Sequence, residues 1–498
     1  MFRLSLMLLV LLACRVSSSG AADSRTFEVR LDEKVFSQNY SGRVVLFFSK
    51  GDREPRLGPN WFGPEPFVSV DVENWSPGSP LEISLTDPKV RKFPKSLTGK
   101  DLSGMSAQAV VRLNPYDRNV GTGAGNGYSN VVRLANEPKV TLPIVNLVKK
   151  GSPQLPARSK VVTIESKLLS DFHGRPVEMN ATVTVPEGYE TDTKKRYPVI
   201  YEIPGFGGTH LDRQLKRHYQ PRLNKQGVDF IKVMLDPSCP RGHHVFANSA
   251  NNGPYGDALV QELIPEIDRQ FRTDARPYGR FLTGHSSGGW SSLWILVNSP
   301  KFFGGTWSTA PDPIDFRDFQ RINLYEPSEN MFIDRDGKRR PLARMNGRIV
   351  LWYDDFAHME DVLGYGGQLE SFEAVFSGRD ANGLPYRLWD RETGEIDDAV
   401  ARSWEKYDIN LILKRNWKAL APALAGKIHI YMGDQDTFYL EGATMLVKET
   451  LADLGSDANV VILPGKTHFD LFADGLSQKI EEEIAVQYLE HRNAKDSE

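Results

Sequence analysis

Short stretches of alternating apolar and polar residues fill the first part of the chain: Thr26–Leu31, Arg43–Phe48, Pro80–Leu85, Ala107–Leu113 and Val140–Val145. Clusters of Gly, Pro, Asn and Asp separate them. A period of two, interrupted this way, predicts strands with one buried face, and residues 25–148 are expected to form a small β-sandwich-like domain. About 120 residues are too few for a propeller of four or more blades, at ~40–50 residues each. Lys149–Ala157 reads as a linker.

Beyond the linker the pattern changes. Val161–Ser166 and Met179–Pro186 read as strands, and Tyr197–Ile203 and Phe230–Leu235 as solid apolar ones. Asp257–Phe271 has helical spacing, with Leu259, Leu263, Ile264, Ile267 and Phe271 on one face. Strand Arg280–Thr283 runs into a helix from Ser287 to Val297. Strand Lys427–Met432, helix Gly442–Leu454, strand Asn459–Leu463 and a terminal helix ending near His491 follow. Alternating strands and helices predict an α/β domain over 160–498, its sheet mostly parallel with helices on both faces. Residues 312–425 break the rhythm and read as a polar insertion carried at the sheet's edge.

The N-terminus changes the expected location. Arg3 precedes an apolar run, Leu4–Ala13, and small residues follow to Ala22. This is the layout of a secretory signal peptide over residues 1–22, and its apolar run of about ten residues is too short to span a bilayer, so a secreted or periplasmic protein is expected. A competing reading makes Leu11–Cys14 a lipoprotein box with a lipid anchor at Cys14. Cleavage after Ala21 or Ala22 leaves Cys239 alone, which excludes an intrachain disulfide and a structural zinc site. Sequons at Asn39, Asn74 and Asn180 are about what chance provides.

Composition narrows the function classes. Hydrophobic residues are 40% of 498, charged residues 25%, and the net charge is -3. Those are globular proportions, and nothing in the charge supports a nucleic-acid partner.

The strongest chemical signal is Gly284-His285-Ser286-Ser287-Gly288, set between a strand and a helix. Gly-x-Ser-x-Gly in that context is a nucleophile elbow, in which a tight turn lifts the serine hydroxyl above the sheet. A lone hydroxyl is a poor nucleophile and needs a base, which needs an orienting carboxylate. Hydrolases built on this elbow place them in the order Ser, acid, His. Of the late histidines, His491 sits on a charged terminal helix, whereas His468 follows a strand in a glycine loop. His468 is the expected base. The strand before it ends in Gly433-Asp434-Gln435-Asp436, leaving Asp434 and Asp436 as candidate acids at the carboxyl end where such sites form. An oxyanion needs N–H donors. The amide of Ser287 is one, and the loop Pro204–Gly208 supplies the other, Phe206 being favoured by position.

Ser286, His468 and the acid loop, with Pro204-Gly-Phe-Gly-Gly208 and the segment Phe246–Tyr255, resemble the esterase D/feruloyl esterase-like branch of the α/β-hydrolases over roughly residues 160–310 and 425–490. The resemblance implies a serine ester hydrolase without a cofactor. It selects Asp436 as the acid, and it sets Phe246–Tyr255, with Asn252 and Tyr255, beside the acyl pocket. This chain has Pro204-Gly205 where the family often has His-Gly. The substrate expected from export and family is a small-molecule or polysaccharide ester. An acyltransferase or a peptidase on the same fold, and a non-catalytic carbohydrate- or surface-binding protein, are the alternatives.

Other candidates carry less. Trp389 is a candidate sugar-binding residue, and Trp352 reads as core. His243 and His244 either line the pocket or are structural. Asp334–Lys338 resembles the start of a calcium loop, but Met345 stands where the bidentate Glu belongs, so a turn is expected. His358, Glu360 and Asp361 lack the i, i+4 histidine pair of a zinc helix. No metal is expected.

Overall fold

The structure, a computed structural model, describes residues 25–135, 137–151, 154–212 and 224–495. The expected leader, residues 1–22 with Cys14, lies outside them. The chain divides into two compact units: residues up to Leu113 with Gly125–Val148, and Lys149 onward with Asn114–Ala124.

In the first unit nine strands form one hydrogen-bonded sheet. Thr26–Leu31 runs parallel to Lys139–Leu147 and antiparallel to Pro80–Ser84. Tyr40–Ser49 lies between Phe67–Trp75 and Ser106–Val111, antiparallel to both. Alternate residues of distant strands (Phe27 and Val29, Leu46 and Phe48, Ala109 and Val111, Leu142 and Ile144) meet in one apolar cluster, so the sheet curls around a single core. The core of the expected sandwich-like domain is thus enclosed by one continuous hydrogen-bonded ladder and not by two separately bonded sheets. Alternation also understates Val44–Phe48, buried on both faces. Phe47 points away from the main core and stacks on Phe67, which in turn stacks on Phe93.

The second unit is built on an eight-stranded sheet. Its strands are β1 (Ser159–Glu165), β2 (Glu178–Thr184), β3 (Val199–Ile203), β4 (Ile231–Leu235), β5 (Arg280–His285), β6 (Gly305–Thr309), β7 (Ile428–Gly433) and β8 (Asn459–Leu463), in the order β1-β2-β4-β3-β5-β6-β7-β8. β1 and β2 pair antiparallel, as do β2 and β4; the remaining pairs are parallel. The central strands are covered on both faces, which is why they read as apolar runs rather than alternations. Helix α1 (Ser287–Asn298) follows β5 and is buried on nearly every side. The helical stretch predicted at Asp257–Phe271 passes through a π-turn at Leu259–Leu263 just before Pro265, whose missing N–H removes one α-type bond.

The insertion is not at an edge. It leaves after β6 and returns at β7, and these strands are direct neighbours inside the sheet. It carries helices α2 (Tyr353–Leu363) and α3 (Gln368–Phe376). Phe316, Phe319, Phe372, Phe376 and Trp404 pack ring against ring within it at 5.1–6.0 Å. Its surface composition hides that core from a reading of average polarity. Among the described residues no helix is long and apolar enough to cross a membrane.

Candidate active site

β5 ends at His285 and α1 begins at Ser287, leaving Ser286 alone to make the turn at φ 60°, ψ -126°. A non-glycine residue there is strained and has to be held by its surroundings. Ser286 N–H donates to Thr309 O at 3.0 Å, and its carbonyl accepts from Trp290 N–H at 3.0 Å and Asp312 N–H at 3.2 Å. The flanking glycines are steric necessities. A Cβ on Gly284 would lie 2.0 Å from Gly288 O, and one on Gly288 would lie 1.9 Å from Ile203 O.

The expected base and acid, His468 and Asp436, meet as a buried pair. His468 Nδ1–H donates to Asp436 Oδ2 at 2.7 Å, with the residues 4% and 0% exposed. Asp436 Oδ1 accepts N–H bonds from Phe438 at 2.8 Å and Leu440 at 3.4 Å. With Nδ1 committed, Nε2 is the nitrogen left to take a proton. The ring is held by His285 and Phe438, with centroids 4.5 and 5.0 Å away. Asp434 is occupied elsewhere, its Oδ1 accepting from Gly465 N–H at 2.7 Å. The insertion braces this acid loop, because Arg344 Nε donates to Asp436 O at 3.0 Å and its Nη2 pairs with Glu441 at 2.5 Å.

One carboxylate at the elbow was missed by sequence reasoning. Ser286 Oγ donates to Asp312 Oδ1 at 3.4 Å, and Ser287 Oγ to Asp312 Oδ2 at 2.5 Å. Gln368 Nε2 reaches both Ser287 Oγ and Asp312 Oδ2 at 3.4 Å. Burial pushes the Asp312 carboxyl up to about 6; Asp436 adds to the rise, while the Ser287 hydrogen bond and His468 oppose it. Its signal was available, since Asp312 follows the strand next to the elbow strand, at the carboxyl end. Gln368 is set by Glu360, whose buried carboxyl accepts from Gln368 N–H at 2.5 Å and Leu369 N–H at 3.0 Å in the first turn of α3. Burial and the neighbouring Glu370 push Glu360 up to about 8 against those donors.

The loop expected to complete an oxyanion site abuts the serine. A Cβ on Gly205 would lie 3.1 Å from Ser286 Cβ and 3.7 Å from Oγ. Phe206 follows, with the Arg118 guanidinium 4.7 Å above its ring. Ser287, at the start of α1, has an amide with no intrahelical acceptor. His243 Nε2–H donates to Pro204 O at 3.0 Å while Nδ1 accepts from Val245 N–H, and burial pushes this neutral ring down to about 4. His244 is similarly saturated by Asp236 O and Phe246 N–H and stacks on Tyr255 at 3.6 Å. Both histidines hold backbone.

Asn252 and Tyr255 line a cavity of about 290 Å³, which Ser286, Asp436 and His468 do not line. The expectation for Trp389 is corrected. It is 2% exposed, with Arg391 lying 3.9 Å over its ring and Tyr353 against its edge, so it has no face to offer a ligand. Cys239 is buried, and burial pushes its thiol up to about 12. Asp334 Oδ1 accepts from Asp336 and Lys338 N–H, closing a turn.

Residues 175–455, more than half the chain, match the Esterase family model, described as "Putative esterase". The endo-1,4-beta-xylanase/feruloyl esterase of Xylanibacter ruminicola is 30% identical over 139 residues, which are 25% of this chain and 18% of that protein. The chain thus spans under a fifth of that relative's length. A solved ferulic acid esterase aligns with a TM-score of 0.40 and 14% identity, covering 66% of this chain and 99% of its own. An S-formylglutathione hydrolase from Agrobacterium tumefaciens aligns with a TM-score of 0.42 and 16% identity, covering 66% and 95%. By the family match, the chain belongs to the Esterase family, with the α/β-hydrolase fold.

Proposed function

We propose that the protein is an exported serine esterase in which Ser286, His468 and Asp436 act as nucleophile, base and orienting acid. The observation that carries this reading is a strained serine at the elbow together with a buried His468–Asp436 hydrogen bond. In the reaction the Ser286 hydroxyl turns from Asp312 toward His468 Nε2, gives up its proton and attacks the ester carbonyl. Catalytic hydrogen bonds often tighten in this way only when substrate binds. The tetrahedral oxyanion is held by the N–H groups of Ser287 and Phe206. His468 then protonates the leaving alcohol, and water resolves the acyl-enzyme by the same steps reversed.

The substrate proposed is an acyl ester carried on polysaccharide, hydroxycinnamoyl esters included. Support comes from the similarity to a xylanase/feruloyl esterase and from the signal-peptide pattern of residues 1–22. Hydrolysis of p-nitrophenyl acetate and methyl ferulate by the wild type and Ser286→Ala tests the reading. The variant is expected to lose on the order of a thousandfold or more in kcat with its fold intact. Equal turnover by both proteins would reject Ser286 as nucleophile.

A further inference from the structure

The cavity of about 290 Å³ lined by Asn252 and Tyr255 has an unbalanced charge. It is near the small end of ligand sites, which run from roughly 300 Å³ upward. Arg175, Arg241 and Arg379 line it together with His173, and among the described residues no Asp or Glu does. All its lining residues fall in the second unit. None of the three arginines forms an ion pair among the described residues.

Each guanidinium is laid over an aromatic ring instead: Arg175 over Tyr116 at 3.9 Å, Arg241 over Tyr365 at 5.8 Å and Arg379 over Phe172 at 5.3 Å. Stacking covers a guanidinium's face and leaves its N–H edge available for an anion. Little of that edge is spent. Arg175 Nη1 donates to Pro176 O at 3.1 Å and Arg379 Nη2 to Asn251 O at 3.3 Å.

Two further groups point to a ligand. Asn252 Nδ2 and Asn251 Oδ1 are buried with no hydrogen-bond partner among the described residues, and the two residues are 4% and 7% exposed. Orphaned buried polar atoms cost free energy, so an unpaired donor and an unpaired acceptor on consecutive lining residues call for a partner offering both. A proton-free inorganic anion such as sulfate or chloride has nothing to donate to Asn251 Oδ1. A sugar hydroxyl does both. Asn251 is fixed by its own Nδ2 bond to Ser377 O at 2.9 Å, and His173 Nε2–H holds Asn252 O at 3.0 Å.

We propose that this cavity is a binding subsite for an acidic saccharide, its three arginines holding the anionic group and Asn251 and Asn252 a hydroxyl. The cavity wall is continuous with the catalytic loop. Arg241 lies in the hairpin Ser238–His243, where a Cβ on Gly242 would come 3.2 Å from Phe206 Cε2 and where His243 bonds Pro204 O. An acidic sugar seated here is held beside the loop assigned to the oxyanion. That placement rests on the esterase reading; the binding itself does not.

The test is calorimetric titration of Ser286→Ala, which does not consume an ester, with three oligosaccharide probes: an oligogalacturonide, a sulfated oligosaccharide and a neutral xylo-oligosaccharide. At least one acidic probe is expected to bind tenfold or more tightly than the neutral one, and to weaken as salt rises. The preferred probe identifies the anion as carboxylate or sulfate. Arg241→Gln, with an unchanged melting temperature, is expected to weaken acidic binding at least tenfold and leave neutral binding alone. Equal affinity for acidic and neutral probes, no binding of either, or no effect of Arg241→Gln overturns the proposal. Acidic binding by a protein whose wild type hydrolyses no ester keeps the subsite and rejects the esterase.

Discussion

Ser286 shares its surroundings with two carboxylates that do different things. Asp436 is committed to His468 and to two backbone amides, whereas Asp312 holds the hydroxyls of Ser286 and Ser287. On the proposed mechanism Asp312 is a positioning residue, and its negative charge would also favour an imidazolium on His468. Asp312→Asn is expected to lower kcat roughly tenfold, one pKa unit's worth of interaction, with KM little changed. Steady-state kinetics with a p-nitrophenyl ester, repeated from pH 5 to pH 8, checks this. The same carboxyl makes a stability prediction. Its folded pKa of about 6 stands above the ordinary 3.8, so the folded chain keeps a proton that the unfolded chain has lost. Its contribution is therefore favourable at low pH and falls away as pH rises from about 4 through about 6. The melting temperature of Asp312→Asn relative to wild type should rise across that window. Local chemistry marks Ser286 and His468 as candidates in the sequence: glycines around one, a strand end before the other. Asp312 also follows a strand end, but it carries no motif, and its contact with Ser286 comes from the pairing of β5 with β6, which the sequence alone does not reveal.

At the scale of elements, the elbow depends on backbone closeness that side chains forbid. Gly288 meets Ile203 O, so helix α1, strand β3 and the turn are packed through that one position. Gly288→Ala should cost about 3 kcal/mol, the upper end of the usual range for overpacking, because a backbone carbonyl is what the new Cβ meets. Gly51 is the contrast: a Cβ there would meet nothing within 4 Å, and Ala should be accepted within about 0.5 kcal/mol. Urea unfolding of the two variants makes the comparison. The insertion also acts at this scale. Gln368 from α3 reaches the elbow, and Arg344 holds the acid loop. Alternation and helical spacing revealed the strands and helices of the sheet. They misjudged where the insertion leaves the sheet, because strand adjacency is a long-range property that no local period records.

For the whole molecule, chain order and spatial grouping part company at one loop. Asn114–Ala124 lies in sequence among strands of the first unit and groups with the second. It brings Arg118 over Phe206 in the loop proposed to hold the oxyanion. A cation–π contact of this kind contributes about 0.5–2 kcal/mol. Arg118→Ala is expected to reduce kcat/KM about three- to tenfold through kcat, measured on the full chain with a small ester whose binding needs no distant contact. A reduction confined to KM would move Arg118 from support of the loop to contact with substrate. Everything proposed for the chemistry turns on Ser286 being the nucleophile, activated by His468. Peptide mapping of the full chain after reaction with a fluorophosphonate reads this out at the residue itself. The predicted result is one adduct, on Ser286, absent from Ser286→Ala and formed at least a hundredfold more slowly in His468→Ala. An unlabelled Ser286 in folded protein, or labelling at the same rate without His468, would contradict it.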